Sequence, residues 1–347
     1  MVALALLLTT PSSAQAQDTS TCVDENTPLP AGLEAVNVPR GSIRRAKTNF
    51  GTSVSLGVSG VDCAKATEAF AAVFAEFDRV EALVSTKNPD ADLAKVNAAA
   101  GKAPVEVNPE LFALMQLALD FAEQSGGAFD PTFAPVFALY DFKAKQAPDA
   151  DALERVLPLV NYKAVVVDEA KRTLFLPKKG MALSLGGIAQ GYAIDRATAK
   201  LQDLGVDHFI FRSDGQLTVI GEPGGGGRRV GVPHPDGKGS LALLSAKNRS
   251  LNFSRDTDAS FVDDTGARHH HILDPNTGAP AHHVRTVALM SHDATSADAL
   301  STAVFVMGPQ RGLALVEKLR GVEALVLDDE KRIHMSSGID DAELFAP

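Results

Sequence analysis

Six short runs of β-forming residues follow one another between His208 and Met290, with no helical pattern among them. They are predicted strands at His208–Arg212, Leu217–Ile220, Arg229–Val232, Leu251–Phe253, His269–Leu273 and Val284–Met290. Helical patterns flank this block. Ala64–Val84 carries Phe70, Val73, Phe74, Phe77, Val80 and Leu83 at helical spacing. A second helix has Asn108 as N-cap and Pro109 at its first position, and stops at Gly126-Gly127. Ile188–Leu204 is ended by Gly205, and Ser296–Met307 and Pro309–Leu319 form a last pair. Strands in runs and helices in pairs predict an α+β fold, with a largely antiparallel sheet and packed helices. A strand at Thr52–Val58 and hairpins at Ala164–Leu176 and Glu323–His334 are expected as well. Residues 46–347 read as one structural unit. Residues 17–45, rich in Pro, Thr, Asp and Arg, read as an irregular arm before it.

The charge balance narrows the partners. The net charge is -10, whereas nucleic-acid binding needs a basic face, so no nucleic-acid partner is expected. The chain has no Trp and only 3 Tyr, which also argues against an aromatic stacking groove. At the start, "VALALLLTT" is an apolar run too short to span a bilayer. Ala14-Gln15-Ala16 behind it is a good cleavage site. Residues 1–16 therefore read as the remains of a secretory signal without its basic n-region. The mature protein then starts near Gln17 and is exported, with the periplasm as its expected location. Cys22 and Cys63, the two cysteines, could form one disulfide in an oxidising compartment. No later segment reads as apolar enough to cross a membrane.

Four stretches could carry chemistry. In "SHDATSADALSTAVFVMG", Thr295 is a natural N-cap and Asp298 sits three positions later, as in a capping box. Asp298 and Thr302 also share one face of the helix, being four residues apart. A carboxylate and a hydroxyl together suit a hard cation such as Mg2+, which takes oxygen ligands. In "ARHHHILDPNTGAP", His269 and His271 face one side of a strand and His270 the other, which disfavours a three-histidine zinc site. One of these histidines at a strand end could serve as acid or base. "DPNTG" is a turn. "GGAFDPT" reads as a helix stop followed by an Asp-Pro turn, or as a pocket-lining loop that includes Asp130. "GEPGGGGRR" lacks the order of a phosphate loop and reads as a flexible hairpin loop. "SLGGIAQGYAIDRA" likewise fails the dinucleotide pattern.

Order and spacing say more than any single motif. "FGTSVSL", "VSTKNPDADLAKVN", "GGAFDPT", "SLGGIAQGYAIDRA", "HHHILDPNTGAP" and "ATSADALSTAVFVMG" together resemble the ApbE family of FAD:protein FMN transferases. The resemblance covers roughly residues 46–330. It implies a T-fold-like α+β enzyme that binds FAD and Mg2+, splits the flavin pyrophosphate and attaches FMN to a Ser or Thr of a target flavoprotein. AMP leaves. Some members hydrolyse FAD to FMN and AMP instead. The resemblance places the metal on Asp298, Thr302 and the main-chain carbonyl of Gly187, and the functional histidine on His271. It also places flavin-nucleotide contacts at Ala128, Phe129, Asp130 and Ile272. Four further contact positions depart from the usual residues. Ser184 and Gln190 stand where the family usually has Asp and Lys, Lys87 where an aromatic is common, and Phe50 where Met is common. "RSDGQL" makes Asp214 and Gln216 unusual as well. These departures keep a third reading open, a non-catalytic FAD-binding or flavin-donor protein.

Overall fold

The structure is a computed structural model and describes residues 42–345, apart from 214, 222–226, 238 and 265. The expected antiparallel sheet forms, and its eight strands lie side by side in chain order. They are β1 (Ile43–Asn49), β2 (Thr52–Val58), β3 (Phe209–Ser213), β4 (Gln216–Ile220), β5 (Arg249–Arg255), β6 (Val284–Ser291), β7 (Glu323–Asp328) and β8 (Ile333–Met335). Every neighbouring pair is antiparallel. The long excursions between strands carry the helices. Between β2 and β3 come α1 (Cys63–Leu83), α2 (Asp92–Ala98), α3 (Pro109–Gln124) and α4 (Ala189–Asp203). Between β6 and β7 comes α5 (Ala294–Val316).

Strand alternation gives the sheet two covered faces. Phe209 and Phe211 of β3 join Phe70, Val73 and Phe77 of α1 on the helix side. Ile210 points the other way, and with Leu217, Val219, Leu251 and Phe253 it packs under the hairpin Arg228–Pro233/Ser240–Ala246. Burying each such large side chain stabilises the fold by roughly 1.5–3 kcal/mol. The period-two rule therefore sorts apolar residues to both faces. It also exposes an exception. Asn252 and Ser254 of β5 and Gln216 of β4 alternate with the hairpin-facing residues, so they present a buried polar stripe toward the helices. α4 and α5 pack together above this part of the sheet.

Local signals account for most element ends. Asn108 caps α3 by accepting from the Glu110 N–H at 2.8 Å. Gly126 and Gly127 end that helix with positive φ, and the Gly127 N–H returns to the Ala122 carbonyl. α5 covers both expected C-terminal helices and runs three residues short of Leu319. It bends at Gly308 (φ 79°), just before Pro309.

Several expectations need correction. The arm does not extend to residue 45, because Ile43–Arg45 already belong to β1. β1 is an edge strand rich in Arg, Lys and Thr, so it lacks an apolar alternation. The expected strand His269–Leu273 is shorter: it spans Arg268–His270 and pairs with Ser260–Val262. α2 and the strand Ser240–Ala246 carried no clear sequence signal. α5 is also long and apolar enough to cross a membrane by length and composition, contrary to the sequence reading. It is instead a core helix of the fold, mostly buried. Cys63 is disulfide-bonded. Cys22, the segment 1–16, most of the arm, Asp214 and the core of "GEPGGGGRR" lie outside the described residues.

Candidate active site

The site is built where the start of α4 meets the first turns of α5. Gly191 makes the approach possible. A Cβ there would overlap the Ala294 carbonyl oxygen and lie 2.9 Å from the Asp298 Cβ. The Gly191 N–H donates to Asp298 Oδ2 at 3.0 Å. α4 has no side-chain cap of its own, so this carboxylate satisfies one of its free N-terminal N–H groups. Asn252 Nδ2, from the polar stripe, donates to Asp298 Oδ1 at 3.3 Å and to Ser301 Oγ at 2.7 Å. Burial pushes the Asp298 carboxyl up to about 7, although the Gly191 hydrogen bond pulls the other way. Neighbouring Asp195 adds to the upward push.

The expected capping box is not formed. Asp293 is the N-cap of α5, accepting from the Ser296 N–H at 2.7 Å. The Thr295 hydroxyl instead donates to Asp195. Asp298 is therefore not spent on capping its own helix. It and Thr302 lie one helical turn apart, as the spacing predicted. Gly187 completes this corner. A Cβ on Gly187 would sit 4.0 Å from Thr302 Oγ1 and 3.2 Å from the Phe129 ring, so the backbone passes between them. The structure thus gathers Gly187, Asp298 and Thr302. Among the described residues no group of three or more His, Cys, Asp or Glu could hold a metal. A cation here would rely on one carboxylate, a hydroxyl and main-chain oxygen.

The "GGAFDPT" loop lies against the glycine turn. The Ser184 N–H donates to the Pro131 carbonyl at 2.8 Å, and Ser184 Oγ accepts from the Gly186 N–H at 3.3 Å. Asp130 spends one oxygen inside the loop and the other on the turn at Tyr162. Oδ1 accepts from the Thr132 N–H (2.7 Å) and hydroxyl (2.6 Å), and Oδ2 from the Tyr162 N–H (3.1 Å). Its side chain builds the loop, while burial raises its pKa. Ala128, Phe129 and Ile272 are buried in the core cluster that includes Ile188 and Phe305. Gln190 Nε2 is a buried donor without a partner among the described residues. Phe50 and Lys87 come from elsewhere. Phe50 has a left-handed backbone (φ 51°) in the β1–β2 turn and packs edge-on against Phe77. Lys87 is exposed in the loop after α1.

The three histidines have three separate partners. His269 Nε2 pairs with Asp263 at 2.8 Å, and its ring stacks on Phe261. His270 Nε2 donates to the Ala281 carbonyl at 3.0 Å, and burial holds it at about 4. His271 lies just past the strand, and its Nδ1 donates to the Asp258 carbonyl at 2.8 Å. That bond requires the proton on Nδ1, so Nε2 keeps its lone pair. Burial lowers the His271 pKa, against the Asp258 hydrogen bond. A neutral ring with a fixed tautomer is suited to accept a proton. The "DPNTG" turn forms as expected, with Asp274 Oδ1 accepting from the Asn276 N–H at 2.8 Å.

Sequence reasoning missed two residues of this site. Asp195 is four positions after Gly191 and so faces α5 from the same side of α4. Asn252 stands between Leu251 and Phe253, where strand alternation alone reads it as solvent-facing; its burial under the helices comes from the tertiary fold.

The ApbE family model matches residues 50–326. This chain belongs to the ApbE family. An FAD:protein FMN transferase of Treponema pallidum is 35% identical to it, over 86% of this chain and 87% of the relative. One of Klebsiella pneumoniae is 30% identical over 76% and 84%. Among solved structures, the ApbE protein of Thermotoga maritima superposes with a TM-score of 0.78 at 30% identity, covering 85% of this chain and 97% of its own. The apo flavinyl transferase ApbE of Pseudomonas stutzeri gives 0.74 at 26% identity, covering 88% and 97%. The α+β architecture with its large antiparallel sheet is thus the ApbE architecture.

Proposed function

We propose that this ApbE-family chain transfers FMN from FAD to a Ser or Thr hydroxyl of a target redox flavoprotein, in a Mg2+-dependent reaction that releases AMP. The observation that carries the reading is the buried Asp298 carboxylate beside Thr302 and Gly187, in a chain 35% identical to an FAD:protein FMN transferase. No cationic side chain contributes to the Asp298 shift among the described residues. A buried carboxylate of this kind favours a bound cation over solvent exposure. The donor set is all hard oxygen, which fits Mg2+. Asp298, Thr302 and the Gly187 carbonyl would hold it. Bound there, Mg2+ supplies charge neutralisation to the pyrophosphate.

The chain's own groups do the rest. The unprotonated Nε2 of His271 takes the proton of the acceptor hydroxyl. The acceptor oxygen bonds to the FMN phosphorus while the bond from that phosphorus to the AMP phosphate breaks. Gln190 Nε2, without a partner among the described residues, offers FAD a neutral hydrogen bond at the position where the family resemblance implies a lysine. Residues 1–16 support placing the reaction in the periplasm. Incubation with FAD, Mg2+ and an acceptor domain carrying a Thr tests the reading. Flavin fluorescence on the acceptor, lost in Asp298→Ala, is the expected result. Free FMN and AMP with an unlabelled acceptor would make the chain a pyrophosphatase, and unchanged bound FAD a binding protein.

A further inference from the structure

We infer that Asp195 is a positioning residue for the metal site, through a reciprocal clamp between α4 and α5. The inference rests on the metal reading of Asp298, Thr302 and Gly187. Each helix caps the other. α4 gives the Gly191 N–H to Asp298 of α5 at 3.0 Å. α5 gives the N–H groups of Ala294 and Thr295 to Asp195 of α4, both at 2.8 Å, and the Thr295 hydroxyl binds the same carboxylate. Gly191 and Asp195 are one turn apart on α4, and Ala294/Thr295 and Asp298 about one turn apart on α5. Two contacts at that spacing fix both the sliding and the rotation of one helix on the other.

The consequence falls on the ligand geometry. Gly187 lies two residues before α4, whereas Asp298 and Thr302 lie on α5. Their separation is therefore set by how α4 seats on α5. Gly191 permits the close seat but supplies a single hydrogen bond. Asp195 supplies the other half, and its two oxygens match two adjacent N–H donors and a hydroxyl. Asparagine at this position would turn an N–H2 toward one of those donors. A Gln216 Nε2 bond to the Ala294 carbonyl at 3.2 Å ties the same turn to the sheet.

A purely structural cap and a positioning residue behave differently. Asp293 caps the same helix at Ser296, and Asp195 bridges the two helices. Mn2+ binding to the full chain, read by electron paramagnetic resonance beside a thermal melt, separates the roles. Asp195→Asn should weaken Mn2+ binding by about tenfold or more. Asp293→Ala should lower Tm and leave Mn2+ affinity within about twofold, since a lost N-cap costs only helix stability. Thr295→Val removes one of the clamp's hydrogen bonds and guards against a misfolded Asp195→Asn; it should weaken Mn2+ binding by a few fold, the effect of one net hydrogen bond. A folded Asp195→Asn, or Thr295→Val where Asp195→Asn fails to fold, with wild-type Mn2+ affinity overturns the inference. So does an equal loss of affinity in Asp293→Ala. If Asp298→Ala binds Mn2+ as the wild type does, the metal reading itself falls, and the inference with it.

Discussion

A single missing methyl group decides how close the two site helices come. Gly191→Ala places a Cβ against the Ala294 carbonyl, which belongs to a helix and cannot swing away as a flexible side chain would. Such overpacking costs about 1–3 kcal/mol, and urea unfolding should show that loss. Flavin transfer should fall with it, because Asp298 is displaced by the same strain. Gly187 has a different role: a Cβ there would press on the Phe129 ring and narrow the approach to Thr302. His271→Ala removes the one histidine of the three whose Nε2 has no hydrogen-bond partner among the described residues. FMN transfer should drop at least 100-fold, the usual size of a lost acid–base group, with little change in the melting temperature. Normal turnover in that variant would remove His271 from the chemistry. At this scale the sequence was informative where one helix spacing sufficed, as for Asp298 and Thr302. It was not for Thr295. The stretch "SHDATSAD" offers several capping residues, and only the tertiary contact with Asp195 shows why Asp293 takes the cap.

Elements bring a second kind of dependence, on pH. His270 is wedged between the Ala281 carbonyl and the edge of Phe305, on α5. Burial depresses its pKa from 6.5 to about 4, with the Ala281 bond acting in the opposite direction. Folding thus favours the neutral ring. The stability it contributes is fully present above about 6.5 and is lost as pH falls toward about 4, a change of up to about 3 kcal/mol. Melting temperature should fall across that window in the wild type and fall less in His270→Leu. Equal slopes would show that His270 does not report on folding. Elements with strong local punctuation were legible: α3 from Asn108, Pro109 and the glycine pair, α4 from Gly205, and β2 from Val54, Leu56 and Val58 at every second position. β1 was not, because an edge strand with basic and polar residues needs no apolar alternation. The histidine strand was read too long because the chain bends at His271 before the "DPNTG" turn.

For the whole molecule, the antiparallel character of the sheet followed from strand runs without crossover helices, but the chain-order arrangement did not. That order depends on where long excursions return, which no local pattern states. It brings α4, from the excursion after β2, onto α5, from the excursion after β6, and so assembles a site from residues more than a hundred positions apart. It also turns the polar face of β5 into the support beneath Asp298. The chemistry proposed for this assembled corner is FMN transfer to a protein hydroxyl. The most direct test follows AMP release and the intact mass of an acceptor domain together, with FAD and Mg2+ present. One AMP should be released for each acceptor that gains one FMN, and neither product should form with Asp298→Ala. AMP released with no mass gain on the acceptor, or labelling that persists in Asp298→Ala, would contradict the proposed chemistry.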